Sequence, residues 1–373
     1  MFARHVIAIV GALVLVAGCS PKAPQSSAAT SSPTGAAPDD SGFTLVATGD
    51  LLIHPELTDQ ATADGGGGKR DYNQILAGVR PAISSADLAI CHLETPLAPA
   101  AGPFKGYPDF SAPPEIATAI ADTGYDDCST ASNHTLDMGA DGITRTLDTL
   151  DAVGIPHTGS ARSAQEANTP LLLDVGGIKV GHVAYTFGFN GRKVPAGQPW
   201  LANTLDTDAV LAAARKARAA GAQIVVASLH WGTEYKQDAT SEQQRIAKEL
   251  LSDPAIDLII GHHAHVVQPF EKINGKWVAY GLGNLIARHS EPRGTTEEGV
   301  IARFHFTRTG SSWTVDRAEY LPTLIDLGPP IRLRDLTTDH EADPARARQA
   351  LARTDQIVLS RGAAAEGLTR PGQ

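Results

Sequence analysis

The chain has 373 residues and a formal net charge of −10, from 31 Lys and Arg against 41 Asp and Glu. That balance lacks the basic footprint of a nucleic-acid binder. Hydrophobic residues make up 42%, ordinary for a globular protein, and the length allows one large α/β domain or two smaller ones.

The first segment, MFARHVIAIVGALVLVAGCS, carries Arg4, an apolar run from Val6 to Val16, small residues and Cys19. The run is too short to cross a hydrocarbon core of about 30 Å comfortably, and it suits the apolar core of a signal peptide. LVAGC at 15–19 resembles a bacterial lipobox. That implies removal of residues 1–18 and a lipid on Cys19. A short membrane anchor and an ordinary secretion signal are the alternatives. Residues 20–42 contain no large apolar side chain, so 19–42 is expected to be a lipidated, flexible tether. The folded part would then sit outside the cytoplasmic membrane, held there by its lipid anchor.

Folded sequence begins at Phe43. FTLVATGD reads as a strand ending in Asp50, ADLAICHLE as a strand ending in Glu94, and TGYDDCSTASNH as a third ending at Asn133-His134. DGITRTLDTLDAVG is a helix with Ile143, Leu147 and Leu150 on one face and Gly154 beyond its end. GIKVGHVAYTF is a strand or hairpin arm. DTDAVLAAARKARAAG is a helix capped by Asp206 or Thr207. QIVVASLHWG, SEQQRIAKELL and IDLIIGHHAH alternate strand, helix, strand. KWVAYGLGN, GVIARFHFT and WTVDRAEYLPTLI read as consecutive antiparallel strands. The alternation predicts an α/β domain with a largely parallel sheet covered by helices. The β-rich end predicts a second sheet or an antiparallel extension of the first. One domain is expected from Phe43 to Leu327, then a C-terminal helix and a disordered tail over 328–373. Cys91 and Cys128 read as two buried free thiols, with a disulfide as the alternative in an oxidising compartment.

Polar residues gather at the C-terminal ends of the predicted strands: Asp50 and His54, His92 and Glu94, Asn133 and His134, His230, then His263 and His265. In open α/β sheets that edge binds ligands. Each residue also has a plainer reading. Asp50 could be a turn residue or helix cap, Asn133-His134 turn chemistry, and His230 a satisfied core histidine. Two histidines at i and i+2 in an extended segment point the same way, so His263 and His265 can reach one site. Together the Asp, Glu, Asn and His set suits two divalent cations, with Mn, Fe or Zn compatible with the donors. Such a pair would activate water and neutralise charge on a phosphate-like substrate.

VATGDLLIH, ADLAICHLETPL, TASNHTLDMGADGITRTLDTLDAVGIPHTGS, VASLHWGTEY, IIGHHAHVVQPFE and VAYGLGNLI together resemble the CapA-type capsule and poly-γ-glutamate synthesis proteins. These are relatives of the calcineurin-like metallophosphoesterases. The resemblance runs from Phe43 to about Leu327. It implies a metallophosphatase-like β-sandwich flanked by helices, a four-layer α/β/β/α fold. It implies Asp50 on a first metal, completed by His265, and Glu94 as the bridge. Asn133, His230 and His263 would hold a second metal. His134 would be the general acid, with Asp137 orienting it. The phosphoesterases place a histidine two residues after the first Asp, whereas the nearest here is His54, four residues on. His92 is an extra ligand or a partner behind one. His262 supports a ligand from behind or points away. Lys105 and Tyr107, in a Gly/Pro/aromatic loop, are candidates to meet an anionic substrate, and Asn284 to steady the site.

The implied function is a surface-anchored, metal-dependent hydrolase or transferase. It would act on an anionic envelope polymer or phosphoester, beside capsule-synthesis membrane proteins. The alternatives are a non-catalytic polymer assembly or export factor, and a phosphodiesterase or nucleotidase.

Overall fold

The computed structural model describes residues 42–372. The signal segment, Cys19 and the tether up to residue 41 lie outside the described residues. Strand Phe43–Leu51 is the centre of a nine-stranded sheet. Leu88–Leu93, Asp127–Ser129 and His157–Thr158 continue in parallel on one side. The long hairpin of Glu298–Thr309 and Ser312–Asp326 lies antiparallel on the other. A second sheet of six strands holds Ile178–Thr186, Ile224–His230, Leu258–His262 and Lys276–Ala279 in parallel. Leu171–Val175 and Phe270–Ile273 form its antiparallel edges.

The side-chain alternation of the strands sets the layers. Leu45, Ala47 and Ile90 from the first sheet share one core with Val226, Leu258 and Ile260 from the second. Val46 and Leu51 point the other way, onto Leu57, Ile116 and Ile120 of the helices covering the first sheet. Val225, Ala227 and Ile259 point away from the second sheet, onto Val210, Ala214, Ile246 and Leu250 of helices Thr207–Ala219 and Ser241–Ser252. The order is therefore helix, sheet, sheet, helix. Strands buried on both faces are mostly apolar, which is why their sequences show near-continuous hydrophobic runs. Each fully buried Leu, Ile or Val contributes about 1.5–3 kcal/mol. The β-rich end supplies the antiparallel extension of the first sheet, and a second mixed sheet packs on it as the resemblance implied.

Local signals were sound. Asp206, rather than Thr207, caps its helix by accepting the Ala209 N–H at 2.9 Å. GIKVGHVAYTF is one arm of a hairpin turning at Gly176 and Gly177, both with positive φ. The C-terminus differs from expectation. The folded body continues past Leu327, because Arg332–Asp335 extends the first sheet. Helix Pro344–Val358 follows, capped by Asp343. The tail expected to be disordered instead buries Ala363 and Leu368, and Leu368–Thr369 pairs with the long strand Ser312–Asp326. Two apolar side chains with a strand edge within reach were enough to seat it. Among the described residues, no helix is long and apolar enough to cross a membrane.

The reading of two free thiols is also corrected. Cys91 and Cys128 stand opposite each other on paired parallel strands, 4.5 Å apart at Cα, and form a disulfide. Strand register decides this, and register is a tertiary property. The bridge closes a span of 37 residues. Loop-closure entropy for that length gives about 3–4 kcal/mol. Replacing both cysteines by Ala is expected to lower unfolding free energy by about that amount in urea titrations.

Candidate metal centre

The donors collect where the two sheets end side by side. Asp50 is placed by a break in register of strand Phe43–Leu51 between Ala47 and Asp50. There its N–H donates to the Gly283 carbonyl at 3.0 Å. A side chain at residue 49 would lie 2.0 Å from that same oxygen, so only glycine lets the strands approach. His92 and Glu94 end the neighbouring strand, and Asn133 and His134 follow the next. From the second sheet come His230, at its strand end, and the run His262 to His265.

The two-histidine spacing works by a different geometry from the one expected. Strand Leu258–His262 stops at His262, and His263 and His265 both have left-handed backbone, with φ of 87° and 54°. Such positions cost on the order of 1–3 kcal/mol each for a residue other than glycine, and strain of this size collects at functional sites. The turn, not an extended segment, brings the two rings to one place, with centroids 6.0 Å apart. Gly261 starts it. A Cβ there would sit 1.9 Å from the Tyr280 carbonyl oxygen and 2.7 Å from Trp231 Nε1. Gly261→Ala is expected to destabilise the protein by about 1–3 kcal/mol in thermal unfolding, because backbone must move to admit the methyl group.

Glu94 lies between the two halves. Its Oε1 is 3.7 Å from His265 Nε2 and 3.9 Å from His230 Nε2. The residue is 1% exposed, yet neither carboxylate oxygen has a hydrogen-bond partner. Asp50 Oδ2 is 3.2 Å from His265 Nδ1, and its Oδ1 is 3.4 Å from His262 Nδ1. His230 Nε2 is 3.0 Å from Asn133 Oδ1, and Asn133 Nδ2 donates to Asn190 Oδ1 at 3.2 Å. Asn284 Oδ1 lies 2.9 Å from His265 Nδ1. His92 backs His230 at 3.0 Å, bonds Ser129 Oγ at 2.7 Å, and stacks on His262. His262 thus faces the centre rather than pointing away.

Burial pushes the Glu94 carboxyl well above its ordinary range. Burial also works against charge on Asp50, but bonds to His262 and His265 outweigh it and hold that carboxyl well below its ordinary value. Burial disfavours charge on His265 too. Glu94 and Asp50 more than offset it and push the ring up to about 10. Burial drives His92 and His230 well down and His263 to about 3, leaving neutral rings. A positive charge is wanted between Asp50 and Glu94, and neutral imidazoles surround it.

These residues fit divalent cations. A buried carboxylate without a partner is costly, and cation ligation is the simplest way to satisfy it. Asp50, Glu94 and His265 bring donor atoms within 4.8 Å of one another, as do Asp50, His92 and His230, and so do Glu234, His263 and His265.

A cleft of about 490 Å³ opens beside these donors, lined by His54, Tyr107, His134, Glu234, His265 and Arg288 among others. His134 Nδ1 lies 2.7 Å from Asp137 Oδ2, which also accepts the Phe110 N–H at 2.8 Å. Nε2 is left as the ring atom open to a substrate. Tyr107 stands at the cleft, 80% exposed. Lys105 is exposed and does not line it, its backbone being paired with Ser111. His54 rests against backbone on one side of its ring. Its Nδ1 lies 3.1 Å from both the Leu52 carbonyl and the Arg288 N–H, and it joins no three-donor cluster among the described residues. Burial holds its ring down at about 4. Glu234, Asn190 and Arg288 went unnoticed in sequence. Only Glu234, inside HWGTEY, sat in a motif that could have flagged it.

A family model described as bacterial capsule synthesis protein PGA_cap matches residues 44–289. Capsule biosynthesis protein CapA of Bacillus anthracis is 25% identical over 205 residues, 54% of this chain and 49% of that protein. PGA biosynthesis protein CapA of Bacillus subtilis is 27% identical over 250 residues, 65% of this chain and 59% of that protein. A probable polyglutamine synthesis accessory protein of Mycobacterium tuberculosis is 28% identical over 169 residues, 43% of this chain and 44% of that protein. The matches thus span about half the length of these curated relatives. Among solved structures, the calcineurin-like phosphoesterase YfkN of Bacillus subtilis aligns with a TM-score of 0.47 at 17% identity, over 86% of this chain and 98% of that one. Because the family model spans well over half of the chain, the protein belongs to the bacterial capsule synthesis (PGA_cap) family.

Proposed function

We propose that this protein is a metal-dependent hydrolase or transferase of the CapA type. Its target would be a phosphoryl or amide bond in an anionic envelope polymer such as poly-γ-glutamate. The observation that carries the reading is the Glu94 carboxylate, buried without a partner between His230 and His265. In this reading Asp50, Glu94 and His265 hold one cation, and Glu94, Asn133, His230 and His263 hold the other. When bound, two such cations supply Lewis-acid charge and an acidified water at neutral pH. The chain's own residues do the rest. Asn284 steadies His265 and Asn190 steadies Asn133, so the donors are fixed before substrate arrives. Asp137 holds His134 for proton transfer to the leaving group. Arg288 offers a positive charge at the cleft to an anionic substrate.

Export and lipidation at Cys19 would place this chemistry outside the cytoplasmic membrane, near capsule-synthesis membrane proteins. Support for that placement comes from the N-terminal sequence alone. A second reading, a non-catalytic assembly factor, is favoured by the word "accessory" in the description of the mycobacterial relative. Leu52 occupying the place of a phosphoesterase ligand also argues against a plain phosphatase.

Elemental analysis of the purified protein with a screen of phosphoester and γ-glutamyl substrates tests the reading. About two metals per chain and a turnover abolished by chelation support it. Fewer than two metals per chain overturns it. Metal-dependent polymer binding without turnover of any substrate supports the second reading instead.

A further inference from the structure

We propose that Glu234 is a metal ligand, supplying the first cation with a donor that position 52 does not provide. The inference rests on the dinuclear reading above and deepens it. Position 52, two residues after Asp50, holds a buried leucine, and the His54 Nδ1 is engaged by the Arg288 N–H. The first cation would be left with Asp50, Glu94 and His265. Three protein donors form a sparse set for a cation of six-coordinate preference.

Glu234 lies in the loop after strand Ile224–His230, and this loop is fastened to the histidine turn at both ends. The Trp231 N–H donates to the His262 carbonyl at 3.3 Å, and the Tyr235 N–H donates to the Ala264 carbonyl at 2.8 Å. The Trp231 ring is buried, its Nε1–H on the Tyr280 carbonyl at 2.9 Å. Gly232 and Tyr235 have positive φ, at 94° and 63°, which closes the loop tightly. The backbone thus carries Glu234 alongside His263 and His265, and donor atoms of all three lie within 4.8 Å of one another. His263 Nδ1 is buried and has no hydrogen-bond partner. The Glu94 carboxylate nearby is equally unpartnered.

A glutamate at a cleft is ordinarily just solvated. Here its backbone is pinned to the segment that bears two candidate ligands, and unsatisfied buried donors face the same place. With Glu234 included, three carboxylates and one imidazole surround the first position. That oxygen-rich set suits a hard divalent ion such as Mn²⁺.

The test is Mn²⁺ titration of the full, chelator-stripped protein by calorimetry, with bound metal counted after gel filtration. Wild type is expected to take up two Mn²⁺. Glu234→Gln keeps the side-chain shape and is expected to lose one Mn²⁺, or to bind it at least about ten-fold more weakly, with the other unchanged. Glu56→Gln removes another exposed carboxylate lining the same cleft and is expected to leave both sites intact. A Glu234→Gln titration that superimposes on wild type overturns the assignment while leaving the dinuclear reading standing. Equal weakening by Glu56→Gln also overturns it, by reducing the effect to cleft charge. Wild-type protein that takes up fewer than two Mn²⁺ overturns the dinuclear reading, and this assignment with it.

Discussion

Glu94→Gln is expected to empty the centre. The substitution keeps volume and leaves the buried strand end in place, but removes the charge lying between His265 and His230. If Glu94 bridges two cations, both sites lose a donor at once, and metal content falls toward zero after gel filtration. The same loss appears in stability. A ligand present at about one hundred times its dissociation constant stabilises the native state by about 2.7 kcal/mol. Wild type should therefore show a rise in unfolding midpoint on adding metal, and Glu94→Gln almost none. A variant that retains two metals per chain would remove Glu94 from the ligand set. The comparison with Asn133→Ala is informative. Asn133 reaches only the His230 side, so its loss is expected to cost one metal rather than two.

His134→Ala is expected to lower turnover by about 10²–10⁴-fold, the range for a positioned proton donor, while metal content stays at the wild-type level. His134 lines the cleft and is tied to Asp137, but it contributes to none of the three-donor clusters. Metal content and activity should therefore separate in this variant, whereas they fall together in Glu94→Gln. Asp137→Asn should also lower turnover with metal content unchanged, because the ring stays in place but its preferred tautomer is no longer enforced. Substrates with good leaving groups should recover much of the His134→Ala deficit, since they need little protonation. Equal losses for good and poor leaving groups would count against a proton-donor role.

Much of this molecule could be read along the chain, and the reason is local chemistry. Largely apolar runs ending in Asp50, Glu94, Asn133 and His230 marked strand ends, because strands buried on both faces are mostly hydrophobic along their length. Caps such as Asp206 and turns such as Gly176-Gly177 act over a few residues and were legible for that reason. The ordered motifs also pointed to the family and to a two-metal donor set. What needed the tertiary structure depends on register, backbone sign and neighbours remote in sequence. The register of two parallel strands, unseen along the chain, set Cys91 opposite Cys128. Left-handed φ at His263 and His265, not strand alternation, aimed the pair. A loop bonded to the histidine turn brought Glu234 within reach. Residue types and their order determined which chemistry this protein could carry. Only the face-to-face packing of the two sheets decided which side chains meet, because that depends on contacts between residues as remote in sequence as Asp50 and His265.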